Sequence, residues 1–521
     1  MSEHYYKNNA AKFIAFNLFL FFIYIYFLTA SGPGFYHGYD LWQLRLEVMK
    51  SIVERFDISV PESIGIIGSD GRAYSLDSIG SALLGLPGYL AAEIIGIKPE
   101  VIISTMNQVF GAGIVVLVFL FCISLKYTMR ASLLVSLLYG LGTITWPLAK
   151  QPFDHTIETF FILLSVYLIY LYVTDKKISL LLLSAFSLGL SFLTRPTSVL
   201  IIIPLFIVIA FSCGKKSSLR ESFTLLGRDT IVYVIALLPF ICIFFWYNYC
   251  RFGSVFETGY SLKAERLGID FFTGTPLLTG LGGFLISPGK GFFYYSPVAL
   301  LFFFSIKSFI KKYPDLGISF VLIILSYLLF LSKNIYWHGD WAWGPRYLLA
   351  LTPFFIIPTA EIFESSIWQK KLLRVVVFSI FIVSIVVQIA AVSVDYRKYF
   401  FNLYVEEDVK FTSARGNGVQ TVYEPPSETY FDWHKSPIRA QFKFISEMAK
   451  GIKDHKYLSL PADAANAEKI KANPIMNMFD FWWLYEYFFY KNYWGIVIAL
   501  VLFLLAVYTA FKLWKYSHKS S

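Results

Sequence analysis

Long unbroken apolar blocks, each close to the roughly 20 residues that cross a hydrocarbon bilayer, constrain this chain more than any other feature. Phe13–Leu28, Val101–Ser124, Thr156–Val173, Ile231–Tyr247 and Val375–Val392 are the clearest of them. Inside a bilayer no water satisfies the backbone, so such blocks must be helices. Only 15% of the residues are charged and 56% are hydrophobic. Soluble chains run at about a quarter charged, which excludes the soluble class. The fold class expected is therefore an all-α polytopic membrane protein.

The formal charge of +10 invites a nucleic-acid reading, but its distribution excludes one. Five short loops hold fourteen Lys and Arg between them: Lys126/Arg130, Lys176/Lys177, Lys215/Lys216/Arg220/Arg228, Lys307/Lys311/Lys312 and Lys370/Lys371/Arg374. The intervening short loops hold only Lys150, Arg195, Lys333 and Arg346. By the positive-inside rule the first set is cytoplasmic. Both termini are basic as well and belong on that side, which requires an even number of crossings. Twelve are expected, starting near residues 12, 101, 131, 156, 178, 197, 230, 297, 317, 347, 372 and 491. Gly80–Ile97 is left out because a crossing there would flip every basic loop outward; it is expected on or in the outer leaflet. The first apolar run, preceded by Lys7 and Lys12, reads as an uncleaved span rather than a signal peptide.

These spans leave long outer segments at 32–100, 248–296, 334–346 and 394–490. The domain reading is a transmembrane module over 1–393, an outer segment over 394–490, and a last span with a basic tail over 491–521. The four cysteines, Cys122, Cys213, Cys242 and Cys250, lie in or near spans and have no metal-ligand or disulfide spacing. Tyr and Trp, 35 and 12 in number, suit the two interfacial belts.

Ionisable residues at the outer span ends are the candidates for chemistry, because charge near a bilayer is expensive. Asp40 opens an amphipathic stretch in which Leu41, Leu44, Val48, Ile52 and Phe56 share a face and Arg45, Glu47, Lys50 and Glu54 lie largely off it. That pattern suits a helix on the membrane surface. Asp40 is either its N-cap or a catalytic base, and the two roles are compatible. Asp70-Gly71 marks a turn, after which Arg72 and Asp77 form a surface pair or part of a site. Lys150, Asp154, His155 and Glu158 crowd the mouth of two spans. Asp154 either caps the helix starting near Thr156 or joins Glu158, four residues on, to hold a divalent cation or a sugar hydroxyl. Arg195, Lys290 and Arg346 each stand at an outer span end beside Gly or Pro. Singly each suits an interfacial anchor; together they suit an anionic headgroup. Gly289 and Gly291 would let backbone N–H groups approach a phosphate, and Arg346 offers a planar fork to its oxygens.

Taken in order, these motifs carry a resemblance. The stretches are Tyr39-Asp40, Asp70-Gly71-Arg72-Ala73-Tyr74-Ser75, Trp146-Pro147, Thr194-Arg195-Pro196-Thr197, Phe252-Gly253-Ser254-Val255-Phe256-Glu257-Thr258-Gly259-Tyr260, Ser287-Pro288-Gly289-Lys290-Gly291 and Gly344-Pro345-Arg346-Tyr347. Over residues 12–393 the chain resembles bacterial membrane glycosyltransferases of the GT-C superfamily. The branch is that of the dolichyl-phosphate-mannose protein mannosyltransferases and the lipid A aminoarabinose transferase (glycosyltransferase family 39-like). The resemblance implies a GT-C-like bundle with an outer-leaflet active site, a polyprenyl-phosphate-linked sugar donor and an inverting transfer to an envelope glycan, lipid or protein. The family's first-loop acid maps onto Asp40, and its second-loop acid onto Asp154 or Glu158. Where many relatives carry a basic residue in the first loop, this chain has Tyr74-Ser75-Leu76-Asp77. The donor-phosphate contact then falls to Arg346, Lys290, Lys150 or Arg195, with Arg72, Tyr74, Asp77 and His155 as candidates to meet sugar or acceptor. A flippase of lipid-linked sugars, or a ligase or polymerase of lipid-linked glycans, is the alternative. The flippase should carry ionisable groups near mid-span and repeated halves, and neither is present in the sequence.

Overall fold

The computed structural model describes residues 2–32, 40–151, 153–213, 219–272, 274–339, 342–400, 403, 412–415, 418–421, 427–454 and 478–519. Helices dominate it. Two short hairpins supply the described strands: Ile66–Ile67 antiparallel to Ala73–Tyr74, and Thr412–Arg415 antiparallel to Gly418–Thr421.

Eight helices among the described residues are long and apolar enough to cross a membrane: Asn9–Leu28, Pro99–Ser124, His155–Asp175, Thr224–Phe252, Pro314–Leu331, Arg346–Glu364, Lys371–Ser393 and Trp494–Ser517. The other four expected crossings are also helical but shorter. They are Met129–Gly142, Ile178–Thr194, and two that open as 3-10 turns, Pro196–Ile201 running into Ile202–Cys213 and Pro297–Leu301 running into Phe302–Lys312. Met129–Gly142 has 14 residues and so rises only about 21 Å. Proline explains the 3-10 openings. It forbids an N–H-bonded continuation of the preceding helix, and its fixed φ starts a new turn.

The two ends of the bundle differ. Near one end the Phe13 ring lies 4.2 Å from that of Tyr516, and the Arg130 guanidinium donates to the Ser517 carbonyl at 3.1 Å. The first and last helices therefore start and finish together. Two of the basic loops gather here, where Lys312 pairs with Glu361 at 3.4 Å and the Thr128 amide donates to Glu364. At the far end the indoles of Trp482 and Trp483 donate to the Phe27 and Leu28 carbonyls at 2.9 and 3.0 Å. They satisfy carbonyls that the end of the first helix leaves without partners.

The far end is roofed by the segments between spans. Asp40–Arg55 and Gly80–Ile95 pack on each other. At Gly80 an added Cβ would lie 2.4 Å from the Leu193 carbonyl carbon, so only glycine lets this helix sit against the end of Ile178–Thr194. Its far flank leaves Ile94 and Ile95 exposed, as suits a helix in an interfacial layer. The described parts of 394–490 are knitted into the same roof. Tyr430 is buried, its carbonyl accepts from Gly289 N–H at 2.9 Å, and its ring stacks on His338 at 4.7 Å.

Candidate active site

At the start of the His155–Asp175 helix two carboxylates stand one turn apart and are both buried. Asp154 occupies the N-cap position but caps nothing. Its carboxylate instead meets the Arg45 guanidinium at 2.8 Å and accepts from Ser81 Oγ at 2.6 Å. Burial pushes this carboxyl up, and the Arg45 charge works against the rise. Glu158 pairs with Arg195 at 3.2 Å and accepts from Thr197 Oγ1 at 3.0 Å and the Tyr327 hydroxyl at 3.1 Å. Local sequence holds Arg195 in place. It precedes Pro196, which disfavours helical backbone at Arg195 itself, and it sits extended at φ −146° as the cap of Ile178–Thr194.

His155 lies between these two carboxylates in sequence. It is 2% exposed, and neither ring nitrogen has a hydrogen-bond partner. Its ring stands 5.3 Å from Tyr347 and 6.0 Å from Phe153. Arg346 stacks on the same two rings, 4.2 Å from Phe153 and 5.1 Å from Tyr347. Arg195 approaches Tyr347 as well, at 5.6 Å. An imidazole and two guanidiniums thus surround one phenol ring.

Arg45 is the residue that sequence reasoning missed. It was read as lying off the apolar face of a surface helix, yet it is 4% exposed and bridges Asp154 and Asp77, the latter at 3.3 Å. Val48, Met49 and Ser51 are buried on the same helix, whereas Phe56 is 95% exposed. The inward face is therefore rotated from the one the apolar pattern suggested. Its only sequence signal was the position five residues after Asp40. Asp40 itself is the first residue of this helix; its side chain lies outside the described residues.

The remaining candidates divide. Asp77 joins the buried cluster through Arg45, so it does not pair with Arg72. Arg72 is exposed and pairs with Asp70 at 2.7 Å and Asp57 at 3.0 Å. Tyr74 is buried and donates to Asp70 at 2.7 Å. Lys150 is enclosed with Asp480 at 2.9 Å and donates to the Val392 carbonyl at 2.6 Å. Burial pulls its ammonium down, and Asp480 opposes this. Lys290 is fully buried and donates to the Ala342 carbonyl at 2.7 Å, with the Phe400 and Tyr430 rings at 5.6 and 5.5 Å. The N–H groups of its loop are used internally. Gly289 donates to Tyr430, Lys290 to Ser287 Oγ and Gly291 to the Ser287 carbonyl. The expected anion nest is closed by these bonds. Asp340 and Trp341, in the neighbouring loop, lie outside the described residues.

Asp154, His155 and Glu158 do not converge on a cation. Each carboxylate faces its own arginine, and no group of three metal-ligating side chains occurs among the described residues.

Residues 89–246 match the family model of dolichyl-phosphate-mannose-protein mannosyltransferases. Among solved structures, the apo oligosaccharyltransferase of Archaeoglobus fulgidus matches with a TM-score of 0.50 at 12% identity, over 89% of this chain and 63% of its own. The chain has a GT-C-type fold. A further GT-C-type neighbour is ArnT from Cupriavidus metallidurans bound to undecaprenyl phosphate, with a TM-score of 0.46 at 11% identity over 96% of this chain and 77% of its own. No curated protein matches the sequence. In this GT-C-type chain the matched stretch carries Asp154, His155, Glu158 and Arg195, while Arg45, Asp77 and Arg346 reach them from outside it.

Proposed function

We propose that this protein is an inverting glycosyltransferase. It moves a sugar from a polyprenyl-phosphate donor to a hydroxyl of an envelope glycolipid, polysaccharide or protein, on the outer face of the inner membrane. One observation carries the reading. At the bundle end away from the termini, two buried carboxylates one helical turn apart meet arginines drawn from separate elements, within a stretch matching a lipid-phosphate-sugar transferase family.

The chemistry suits those groups. An inverting transfer needs a carboxylate to take the acceptor's proton as its oxygen attacks the anomeric carbon. The phosphate leaves already ionised, so the departing oxygen needs cations rather than a general acid. Asp40 takes the base role. It opens the helix whose Arg45 is fixed to Asp154, and five residues of helix advance only about 7.5 Å. Arg195 and Arg346 take the phosphate role, because both guanidiniums lie against the Tyr347 ring beside His155. Glu158 orients Arg195 and, through it, the donor, while Asp154 fixes Arg45 and with it the helix that Asp40 opens.

The test is to purify the wild type and Asp40→Asn and to incubate each with radiolabelled polyprenyl-phosphate sugars and an envelope extract. Label should pass to an acceptor with the wild type and fall by about 10²–10⁴-fold in the variant, while donor binding persists. If the wild type transfers no label but moves the lipid across liposome bilayers, the protein is a flippase and the proposal fails.

A further inference from the structure

Among the described residues, the His155 ring has both of its polar atoms buried without a partner. Buried polar atoms in folded proteins are nearly always hydrogen-bonded, and each exception needs a cause such as a bound molecule. Here both nitrogens of one imidazole are exceptions at once, in a residue 2% exposed. Its ring neighbours, Phe153 at 6.0 Å and Tyr347, both carry a guanidinium, Arg346 lying 4.2 Å from the Phe153 ring. Tyr347 stands 5.3 Å away, and the same phenol ring is approached by Arg346 at 5.1 Å and Arg195 at 5.6 Å. Three elements deliver these groups: the start of His155–Asp175, the extended residue before Pro196, and the 3-10 turn Arg346–Leu351.

We infer that His155 is a phosphate-binding residue, donating a ring N–H to an oxygen of a lipid-linked phosphate held between Arg195 and Arg346. This rests on the glycosyltransferase reading for the ligand being the lipid donor, and it moves His155 from the acceptor to the phosphate. The guanidiniums supply charge and forked donors to two phosphate oxygens. A neutral imidazole adds a donor on one nitrogen and keeps an acceptor on the other. That second nitrogen suits a sugar hydroxyl next to the phosphate. The partial positive charge at the start of a 21-residue helix acts in the same sense.

The test reads binding and needs no turnover. The full chain in nanodiscs is titrated with undecaprenyl phosphate, with undecaprenol and with inorganic phosphate, using wild type, His155→Phe and His155→Gln. His155→Phe keeps a ring without donors and should weaken undecaprenyl phosphate by about tenfold or more, the scale of one hydrogen bond to a charged group. His155→Gln keeps a donor and should retain most of the affinity. Undecaprenol binding should not change. If both variants bind the lipid phosphate as the wild type does, the nitrogens serve only an enclosed water and the inference is wrong. An equal loss for undecaprenol would make His155 a packing residue and overturn it too. If inorganic phosphate binds as tightly as the lipid, the ligand is a free anion and the lipid assignment falls. A protein that binds lipid phosphate through His155 but transfers no sugar would sink the transferase reading and leave this one standing.

Discussion

Arg45 holds two carboxylates at once, Asp154 at 2.8 Å and Asp77 at 3.3 Å, with its own side chain 5% exposed. Removing one partner of a buried pair is costlier than never having built it, because the other charge is left in a poor solvent. Arg45→Met should therefore destabilise the protein by about 3–5 kcal/mol, read as a lower thermal midpoint in detergent. Arg45→Met with Asp154→Asn should recover part of that loss, since the orphaned charge has gone. An equal loss in the double variant would mean that packing, not charge, is what Arg45 supplies. The same residue marks where sequence reasoning stops. Asp154, His155, Glu158, Arg195 and Arg346 were legible because each announces itself locally, as an ionisable group at the end of an apolar run. Their partners were not. Glu158 finds Arg195 across two helices, and Arg45 turns inward on a helix that packs against Gly80–Ile95, whose Ser81 donates to Asp154. Lys150 and Lys290 looked like equal candidates in sequence. Both are closed in, by Asp480 and by the Ala342 carbonyl, which distant parts of the chain contribute.

Between residue and molecule, the first hairpin shows what a turn signal can and cannot tell. Asp-Gly at 70–71 marked the turn correctly, and Gly71 adopts φ +82° in it. The use of Asp70 as the turn's anchor was not visible, because it depends on Tyr74 folding back. Slight burial raises the Asp70 carboxyl, but hydrogen bonds from Tyr74 and Arg72 and the Arg72 charge outweigh that and hold it at about 2. A carboxyl whose pKa is depressed on folding adds stability that is complete above its unfolded value of about 3.9 and is lost as pH falls through the folded one. The Gly68 amide, which donates to the Arg72 carbonyl at 2.8 Å, reports on this. Its hydrogen exchange, corrected for intrinsic rate, should be flat from pH 7 to about 4 and then rise towards pH 2. Asp70→Asn should remove the dependence; an unchanged profile in that variant would place the acid sensitivity elsewhere. The loop over 287–291 makes the opposite case. Its two glycines and lysine read as an open anion nest, but the carbonyl of Tyr430, more than a hundred residues later, occupies Gly289 N–H.

On the scale of the whole molecule, hydropathy carried most of the helical architecture, and charge assigns a sidedness to it. Spans are set by runs of apolar residues, which are local, and sidedness by basic loops, which are counted rather than located. What they missed is depth. Several expected crossings are short helices or open as 3-10 turns at a proline, and two of those openings lie beside the candidate site at Arg195 and Arg346. The pairing of Phe13 with Tyr516 puts both termini at one end, and the Arg45–Asp154 cluster lies at the other, beyond the far end of the first helix. Coupled to the positive-inside rule, that arrangement makes a two-sided prediction. In a background without the native cysteines, Ser69→Cys on the exposed first loop should react with a membrane-impermeant maleimide added to intact spheroplasts. Lys515→Cys, exposed at the end of the last helix, should react only after the membrane is opened. The reverse pattern would turn the site towards the cytoplasm, where a nucleotide-activated sugar could serve as donor, and the polyprenyl-phosphate assignment would lose its topological basis. Labelling of both from outside would mean an even number of crossings between them, and the shared end of the first and last helices would have to be abandoned.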